Sequence, residues 1–354
     1  MKIIIKNKII SDSFKTYFIA DIGANHDGSL KRAKKLIKLA ALSGADAAKF
    51  QHFKAETIVN KETFDKQKKS AHQAKWKSSI FNVYKKASIN ISWNEILKKE
   101  CKKNKIHFLT SPYDLDYIED VNKLIPAYKI GSGDITWKQA LINIAKKKKP
   151  VFLATGASSL KDVISAAKKI LKINKKLVIM QCNTNYTNSE ENFKYINLNV
   201  LKTYKRIFGK KVILGLSDHT EGHTTVLGAI SLGAKVIEKH FTDNNNRNGP
   251  DHKFAMNPTS WKKMVDESRR LELALGSKIK KIEKNEKESF FVQRRGVYTL
   301  KKLKKGEKLN KEDVICLRPY IKNTISPFDI NKFFGKKLKQ NIKKNVAIKK
   351  KWLS

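Results

Sequence analysis

The sequence predicts an eight-stranded (β/α)8 barrel, a TIM barrel of the α/β class, followed by a small mixed C-terminal unit. Three observations support this fold. Short apolar runs alternate with helical patterns eight times between about residues 17 and 275. A polar, charged stretch then interrupts the pattern, and shorter elements punctuated by glycine follow it. The 354 residues exceed one ordinary domain, and 40% of them are hydrophobic. We therefore expect the barrel in residues 1–275, a linker in 276–290 and the small unit in 291–354.

The predicted strands are short and largely apolar, as expected for parallel strands that are buried on both faces. They are Phe18–Asp21, Ala47–Phe50, His107–Thr110, Ala127–Ile130, Val151–Ala154, Leu177–Gln181, Val212–Gly215 and Val236–His240. The clearest intervening helical pattern runs from Leu160 to Leu171, and Ser159 with Asp162 offers it a capping box. Residues 52–91 are too many for a simple connection between a strand and a helix, which predicts a lid or substrate loop.

The chain is strongly basic, with 75 Lys and Arg against 32 Asp and Glu and a formal net charge of +43. Such a charge is typical of nucleic-acid-binding proteins. The lysines are spread evenly along the chain, however, whereas a nucleic-acid site concentrates its cations and stacking aromatics on one face. We interpret the excess of basic residues as compositional drift and expect their side chains to lie on solvated surfaces. We expect no specific nucleic-acid partner. The basic field would still attract an anionic substrate.

Cysteine content and hydropathy indicate a cytoplasmic protein. The three cysteines, Cys101, Cys182 and Cys316, are too few and too scattered for a disulfide framework. No apolar run approaches the roughly 18 residues that a spanning helix needs, so we expect no membrane partner. The N-terminus alternates charged and apolar residues without a cleavage signature, which argues against a signal peptide.

Polar residues gather at the carboxyl ends of the predicted strands, where barrel enzymes keep their sites. His219 and His240 end the seventh and eighth strands, which are neighbours about 4.8 Å apart in a barrel. The two imidazoles could share one Mn²⁺ or Mg²⁺ ion and leave positions open for water and substrate oxygens. The alternative is a pair of histidines that are hydrogen-bonded in a polar barrel mouth.

Two lysines, Lys49 and Lys129, also lie at strand ends. The hydroxyl-bearing residues near them are Thr110, Ser132, Ser158 and Ser217. Two ammonium groups among hydroxyls make a phosphate cradle through charge-assisted hydrogen bonds. One lysine carries little weight in so lysine-rich a chain, but a solvated lysine has no reason to lie inside an apolar run such as residues 47–50.

Three carboxylates are candidates for orienting sugar hydroxyls or moving protons, namely Asp21, Asp134 and Asp251. Asp251 lies in an Asn-Gly-Pro-Asp-His segment and alternatively only shapes a turn. Most of the remaining histidines, His72 among them, have no spacing signal and are interpreted as structural.

Taken together, these segments resemble the sialic acid synthase family, in which a barrel precedes a small antifreeze-like (SAF) domain. The matching barrel segments are Ala20–Gly28, Lys49–Gln51, Thr110–Pro112, Tyr128–Ser132, Ala154–Ser158, Gly215–Thr220, Glu238–Phe241 and Gly249–His252. Arg294–Arg295 and Leu317–Pro319 match the small domain. The segments occur in order along nearly the whole chain, and it is their combination that is specific.

The resemblance implies a role for each matching residue. His219 and His240 match the metal-binding histidines. The positions that match the surroundings of phosphoenolpyruvate are Lys49, Thr110, Lys129, Ser132, Ser158, Asn183 and Ser217. Those on the sugar side are Gln51, Tyr186, Asp134 and Asp251. Arg318 matches an arginine that reaches the acylamino group from the partner subunit, which implies a homodimer with exchanged SAF domains.

The implied reaction joins phosphoenolpyruvate to an acetamido-hexose aldehyde to form a nine-carbon 2-keto acid and phosphate. We expect catalytic roles for Asp21, Lys49, Lys129 and Asp134. The family usually has Glu where Asp21 and Asp134 stand, so each carboxylate is one methylene shorter here. N-acetylmannosamine is the default acceptor, and a diacetamido-trideoxyhexose, giving legionaminic- or pseudaminic-type acids, is the alternative.

Two rival functions remain open from the sequence. One is a sibling synthase that acts on a shorter sugar phosphate, which the small C-terminal domain disfavours. The other is a carbohydrate- or nucleic-acid-binding protein that has lost catalysis, with Asp21 and Asp134 as signs of decay.

Overall fold

A computed structural model describes residues 1–66, 73, 78–187 and 189–354. The chain forms two compact units, Met1–Gly276 and Ser277–Ser354. His72 and part of the predicted lid at residues 52–91 lie outside the described residues. Among the described helices, none is both long and apolar enough to cross a membrane.

The first unit begins with an antiparallel hairpin that the sequence analysis did not predict. Its strands are β1 (Lys2–Ile5) and β2 (Lys8–Ser11), which pair from Lys2 with Ser11 to Ile5 with Lys8. Side chains alternate along a strand, so Ile3 and Ile5 share one face and are buried, whereas Ile4 faces solvent. The buried isoleucines pack against apolar residues that line the inside of the barrel. The hairpin therefore covers the amino-terminal end of the barrel.

The predicted barrel is confirmed, because eight parallel strands close into one sheet. Its strands are β3 (Tyr17–Asp21), β4 (Ala47–His52), β5 (His107–Pro112), β6 (Tyr128–Ile130), β7 (Val151–Ala154), β8 (Leu177–Cys182), β9 (Ile213–Asp218) and β10 (Ala234–His240). Each predicted strand lies within one of these or differs from it by a few residues at an end. β10 pairs with β3 and completes the closure.

Helices surround the barrel, and the longer ones each bury an apolar face. They are α1 (Leu30–Leu42), α2 (Ala55–Ile58), α3 (Lys61–Lys66), α4 (Ile80–Ala87), α5 (Asn94–Lys103), α6 (Leu115–Asp120), α7 (Lys138–Lys146), α8 (Leu160–Ile173), α9 (Val200–Phe208), α10 (Thr224–Ser231) and α11 (Pro258–Leu275). The predicted capping box of α8 is present, with the Ser159 and Asp162 side chains each bonded to the other's backbone N–H. The short helices α2, α3 and α4 belong to the long connection that follows β4.

Strand register decides which polar residues face into the barrel. Tyr17 and Ile19 belong to the inner core, so Asp21, at the same parity on β3, points inward as well. Asp21 is paired with His240 of β10 on one side and with Lys49 of β4 on the other. The three side chains therefore stand at one level of the barrel, near its carboxyl end.

The second unit has its own small core. After α12 (Lys287–Gln293), strands β11 (Gly296–Thr299) and β12 (Val314–Leu317) pair antiparallel. The buried core residues are Val297, Leu303, Leu309, Ile325, Leu338, Ile342, Ile348 and Leu353. Isolated bridges tie distant turns together, such as the one between Leu303 and Ile342. The helix α12 begins inside the stretch that the sequence analysis assigned to the linker.

The hairpin should contribute strongly to the stability of the barrel. Ile5 is 1% exposed and Ile4 is 55% exposed on the same strand. We expect Ile5→Ala to lower the free energy of unfolding by about 2–5 kcal/mol, because it leaves a cavity at the amino-terminal end of the barrel. The matched control Ile4→Ala should change it by less than about 0.5 kcal/mol. Denaturant unfolding of both variants checks this. Equal losses of unfolding free energy would show that the buried face of the hairpin does not stabilise the barrel.

Candidate active site

A cavity of about 440 Å³ opens at the carboxyl end of the barrel, opposite the hairpin. The predicted residues that line it are Asp21, Lys49, Gln51, Lys129, Ser132, Asp134, Tyr186, Ser217, His219, His240 and Asp251. They come from strand ends that are far apart in the chain. Closure of the barrel therefore brings most of the predicted site together.

Two predicted residues point elsewhere. Thr110 is paired with Phe50, which packs against the outer helices, so its side chain also faces outward. Its hydroxyl donates to the Phe50 carbonyl at 3.0 Å and lies 2.6 Å from Nδ1 of His52. Ser158 donates to the carbonyl of Gly156 at 2.8 Å. Neither residue lines the cavity.

Asn183 contributes to the site through its backbone, and Arg318 lies in the second unit. The Asn183 side chain donates to the Tyr195 carbonyl at 3.2 Å and does not line the cavity. Its backbone carbonyl instead accepts a hydrogen bond from Nδ1 of His219 at 2.8 Å, so Asn183 orients a site residue. Arg318 belongs to the second unit, where its side chain is exposed.

A network of buried charges forms the floor of the cavity. Nζ of Lys49 lies 2.7 Å from Oδ2 of Asp21, and Nζ of Lys129 lies 3.0 Å from Oε1 of Glu238. The hydroxyl of Ser217 donates to the same Glu238 oxygen at 3.1 Å. Both lysines are almost completely buried. Buried ammonium groups of this kind require compensating carboxylates, because their desolvation is costly.

These pairings set the protonation states. Burial alone would raise the pKa of Asp21, but the Lys49 ammonium and His240 lower it to about 2. Burial would likewise lower the pKa of Lys49, but Asp21 and Glu238 raise it above its ordinary value. Asp21 is therefore an anion and Lys49 a cation at neutral pH.

Asp134 has the opposite character. Burial raises the pKa of this carboxyl to about 6, against an opposing effect of the Lys129 ammonium. A group that titrates near the working pH is suited to accepting and returning a proton. Among the cavity carboxylates, Asp134 fits this task better than Asp21, which stays ionised down to about pH 2.

Gly23 allows the loop after β3 to close over the floor. Its φ is +48°, and a Cβ there would lie 2.7 Å from Oδ2 of Asp251. The backbone N–H of Gly23 donates to Asp21, and that of Ala24 donates to Asp251 at 3.1 Å. The loop therefore fixes both carboxylates, and a side chain at Gly23 would displace Asp251.

The two predicted metal-binding histidines are close neighbours, with ring centroids 5.5 Å apart. Because Nδ1 of His219 is bonded to a carbonyl, its Nε2 is the nitrogen left for another partner. Nδ1 of His240 is buried and has no hydrogen-bond partner among the described residues. It lies 3.6 Å from Asp251. An unpartnered His240 nitrogen beside Asp251, with the His219 ring close by, fits a loosely held divalent ion that substrate oxygens would complete.

The protein alone does not complete such a site. Within the described ranges, no group of three or more His, Cys, Asp or Glu side chains is arranged to hold a metal. A closed zinc site of four protein ligands is therefore not formed by these residues.

Two further residues belong to the site although the sequence analysis gave them no role. Glu238 precedes His240 by two positions on β10, and residues two apart share one strand face, which could have revealed it. Cys182 lines the cavity at the end of β8. Burial would raise the pKa of its thiol, but hydrogen bonding to His219 and the nearby positive charges lower it below the ordinary value.

Comparisons with known proteins show the family to which this chain belongs. The NeuB family model matches residues 36–280 and the SAF domain model matches residues 294–353. An N,N'-diacetyllegionaminic acid synthase of Campylobacter jejuni is 36% identical over 342 residues, 95% of this chain and 99% of that protein. A pseudaminic acid synthase of the same organism is 32% identical over 340 residues, 95% of this chain and 96% of its own.

A solved structure is also similar. The N-acetylneuraminic acid synthetase of Leptospira borgpetersenii is 27% identical, with a TM-score of 0.71, over 82% of this chain and 95% of that one. The family model alone covers more than half of the chain, and a relative more than 30% identical covers nearly all of it. The chain therefore belongs to the NeuB family of sugar acid synthases and ends in a SAF domain.

Proposed function

We propose that the protein condenses phosphoenolpyruvate with an acetamido-hexose aldehyde and water, giving a nine-carbon 2-keto acid and phosphate. The observation that carries this proposal is the pair of buried lysines, Lys49 and Lys129, at the floor of a barrel-end cavity. Phosphoenolpyruvate brings a phosphate and a carboxylate, and each needs a cationic or N–H partner away from water. The named relatives make sugar acids of this type.

The floor residues supply binding and orientation. Lys49 and Lys129 would hold the phosphate and carboxylate groups, with Ser132 and Ser217 as neighbouring hydroxyls. Both lysines already have carboxylate partners, so the substrate competes with Asp21 and Glu238 for their N–H groups. The strongly basic chain raises the local concentration of such an anion.

The chemical step forms one C–C bond and breaks one C–O bond. C3 of phosphoenolpyruvate attacks the aldehyde carbon, whose oxygen takes up a proton, and C2 becomes cationic. Water then adds at C2 and gives up a proton to Asp134. The raised pKa of the Asp134 carboxyl supports its role as this proton acceptor. The hydroxyl of the resulting tetrahedral centre then passes its proton to the departing phosphate as the C–O bond of the phosphate breaks, which leaves the keto group.

A divalent ion, Mn²⁺ or Mg²⁺, would be held by His219 and His240 and would polarise the aldehyde oxygen as a Lewis acid. The unpartnered Nδ1 of His240 and the close approach of the two rings support this assignment. Gln51 and Asp251 line the same cavity and would orient the sugar, and Gln51 donates a hydrogen bond to Asp21 at 3.1 Å. Tyr186 covers the His219 ring at a centroid distance of 4.3 Å.

We further propose a homodimer in which the SAF domain of one subunit completes the barrel of the other. The Arg318 side chain is exposed and has no ion pair or hydrogen bond among the described residues. In the sequence, Arg318 comes directly after β12, on which the apolar side chains of Ile315 and Leu317 are partly exposed. A guanidinium beside an apolar surface is suited to docking on a site that contains carbonyl or carboxylate groups.

Phosphate release tests the function as a whole. Purified protein with phosphoenolpyruvate and Mn²⁺ should release phosphate with N-acetylmannosamine or a diacetamido-trideoxyhexose. It should not do so with a pentose phosphate, the acceptor type of the rival synthase. Absence of release with every acceptor would contradict the proposal and favour a non-catalytic carbohydrate-binding protein.

The two lysines should be specific to the phosphoenolpyruvate half of the site. Lys49→Met and Lys129→Met should each raise the KM for phosphoenolpyruvate or lower kcat by about ten- to a hundredfold, because a charged hydrogen bond is worth roughly 1.5–3 kcal/mol. The KM for the sugar should change far less. Lys38→Met, which removes an exposed charge, is the control. Unchanged kinetics in both buried-lysine variants would exclude them from the site.

The pH profile should report the titration of Asp134. Its carboxylate form is the proton acceptor, so kcat/KM should fall as the pH drops through about 6. Asp134→Asn should lower the rate and remove this limb, since an amide does not titrate. A profile that keeps the limb in Asp134→Asn would assign the proton transfer to another group.

Metal binding should depend on both histidines. We expect EDTA to abolish turnover and Mn²⁺ to restore it. Electron paramagnetic resonance should show that His219→Ala and His240→Ala each weaken Mn²⁺ binding, whereas His223→Ala, outside the cavity lining, does not. Full activity of the metal-free enzyme would refute the Lewis-acid role.

Complementation should reveal the exchanged SAF domain. His219→Ala and Arg318→Ala chains should each be inactive alone. In a mixed dimer one site keeps both residues, so subunit exchange should restore about a quarter to a half of the wild-type activity. No recovery after proven exchange would show that Arg318 does not act on the partner's barrel.

A further inference from the structure

A buried ion pair lies on the outer side of the barrel sheet, and the proposed mechanism does not use it. Asp218 ends β9, Lys239 is the last residue but one of β10, and the two residues are paired across the strands. Nζ of Lys239 lies 2.5 Å from Oδ2 of Asp218. Leu216 and Ile237, which have the same parity as the pair, belong to the core between the sheet and the helices. The pair therefore faces away from the cavity.

This pair holds the chain on both sides of His219. Nζ of Lys239 donates to the backbone carbonyl of Thr220 at 2.6 Å. Asp218 accepts a hydrogen bond from the Thr220 hydroxyl at 2.8 Å. His219 stands between Asp218 and Thr220 in the chain, and Lys239 immediately precedes His240. One lysine side chain therefore ties the strand that carries His240 to both neighbours of His219.

Stability alone does not account for the pair. The side chains of Asp218 and Lys239 are each 1% exposed, so both lose their hydration on folding. A buried ion pair commonly contributes no more to stability than two well-packed apolar side chains. Its hydrogen bonds, however, end on particular atoms of the turn after β9, whereas apolar contacts have no preferred direction. The Thr225 hydroxyl, which donates to Asp218 at 2.7 Å, anchors the same turn to the start of α10.

We infer that Asp218 and Lys239 are positioning residues that set the His219 ring against the His240 ring from outside the cavity. The inference rests on the proposed function, in which the two rings share one divalent ion. The ring centroids are 5.5 Å apart, and Nδ1 of His219 donates to the Asn183 carbonyl at 2.8 Å. Release of the turn after β9 would shift the His219 backbone and break this hydrogen bond. The ion site would then lose its geometry although both histidines remain.

A double variant removes the pair without leaving a buried charge. Asp218→Asn with Lys239→Met nearly keeps the side-chain sizes but removes both charges and the donor to Thr220, so we expect this protein to fold. Electron paramagnetic resonance should show that it binds Mn²⁺ about tenfold more weakly, since groups that orient metal-binding histidines commonly contribute this much to affinity. The value of kcat should fall by a similar factor, while the KM for phosphoenolpyruvate should stay within about twofold.

Nitrogen-15 NMR of the metal-free protein gives a second readout that does not depend on the ion. In the wild type, neutral His219 should show a single tautomer protonated at Nδ1, because its carbonyl partner can only accept a hydrogen bond. In the double variant we expect a mixture of the two tautomers, because this hydrogen bond is lost. The spectrum of His219→Ala identifies the signal.

Two single variants separate positioning from stability. Thr220→Val keeps the side-chain shape and removes the hydroxyl that binds Asp218, so Mn²⁺ should bind severalfold more weakly. This variant decides the question if the double variant does not fold. Tyr17→Phe is the control, because it removes a buried hydrogen bond to His107 at the amino-terminal end of the barrel. It should leave both Mn²⁺ binding and the His219 tautomer unchanged.

The outcomes distinguish this inference from the proposed function. Wild-type Mn²⁺ affinity and an unchanged His219 tautomer in Thr220→Val and in the folded double variant would overturn the inference and leave the proposed condensation intact. Equal weakening of Mn²⁺ binding in Tyr17→Phe would also overturn it, because a general loss of stability would then be the cause. If the wild type neither binds Mn²⁺ nor releases phosphate, the proposed function fails, and the tautomer comparison still decides whether the pair orients His219.

Discussion

Lys49 and Lys129 are nearly excluded from water, and this burial constrains the rest of the site. A buried ammonium without a counter-charge costs several kcal/mol, so Asp21 and Glu238 are needed to hold the lysines in the folded barrel. In the proposed function, phosphoenolpyruvate would displace these carboxylates from the two lysines. One arrangement of charges thus stabilises the folded floor and, in the proposed function, would supply the cations that bind a phosphate.

The barrel makes that arrangement possible through strand register and closure. Asp21 stands between His240 and Lys49 because β3 lies between β10 and β4, and all three side chains share the inward parity. The hairpin blocks the amino-terminal end with isoleucines, which leaves the carboxyl end as the opening. The helices after β4 then add apolar residues, among them Ile58 and Val83, to the lining of the cavity at this opening.

Much of this architecture follows from local sequence patterns. Eight short apolar runs were enough to predict the strands, because parallel strands that are buried on both faces have nearly continuous apolar sequences. The hairpin escaped prediction because its turn uses Lys6, at a φ of +49°, and Asn7 without the glycine that usually marks such turns. The prediction that the Thr110 side chain faces the site was wrong, because the end of a strand does not reveal which face a residue occupies until the register is known. Glu238 was recoverable from its spacing to His240.

The central claim is that the buried lysines bind phosphoenolpyruvate, and a crystal structure of the protein with phosphoenolpyruvate and Mn²⁺ tests it most directly. The account predicts phosphate and carboxylate oxygens within hydrogen-bond distance of Nζ of Lys49 and Nζ of Lys129. It also predicts that the contacts of these atoms with Asp21 and Glu238 lengthen from the 2.7 and 3.0 Å found here. Phosphoenolpyruvate bound elsewhere, with both ion pairs unchanged, would contradict the account.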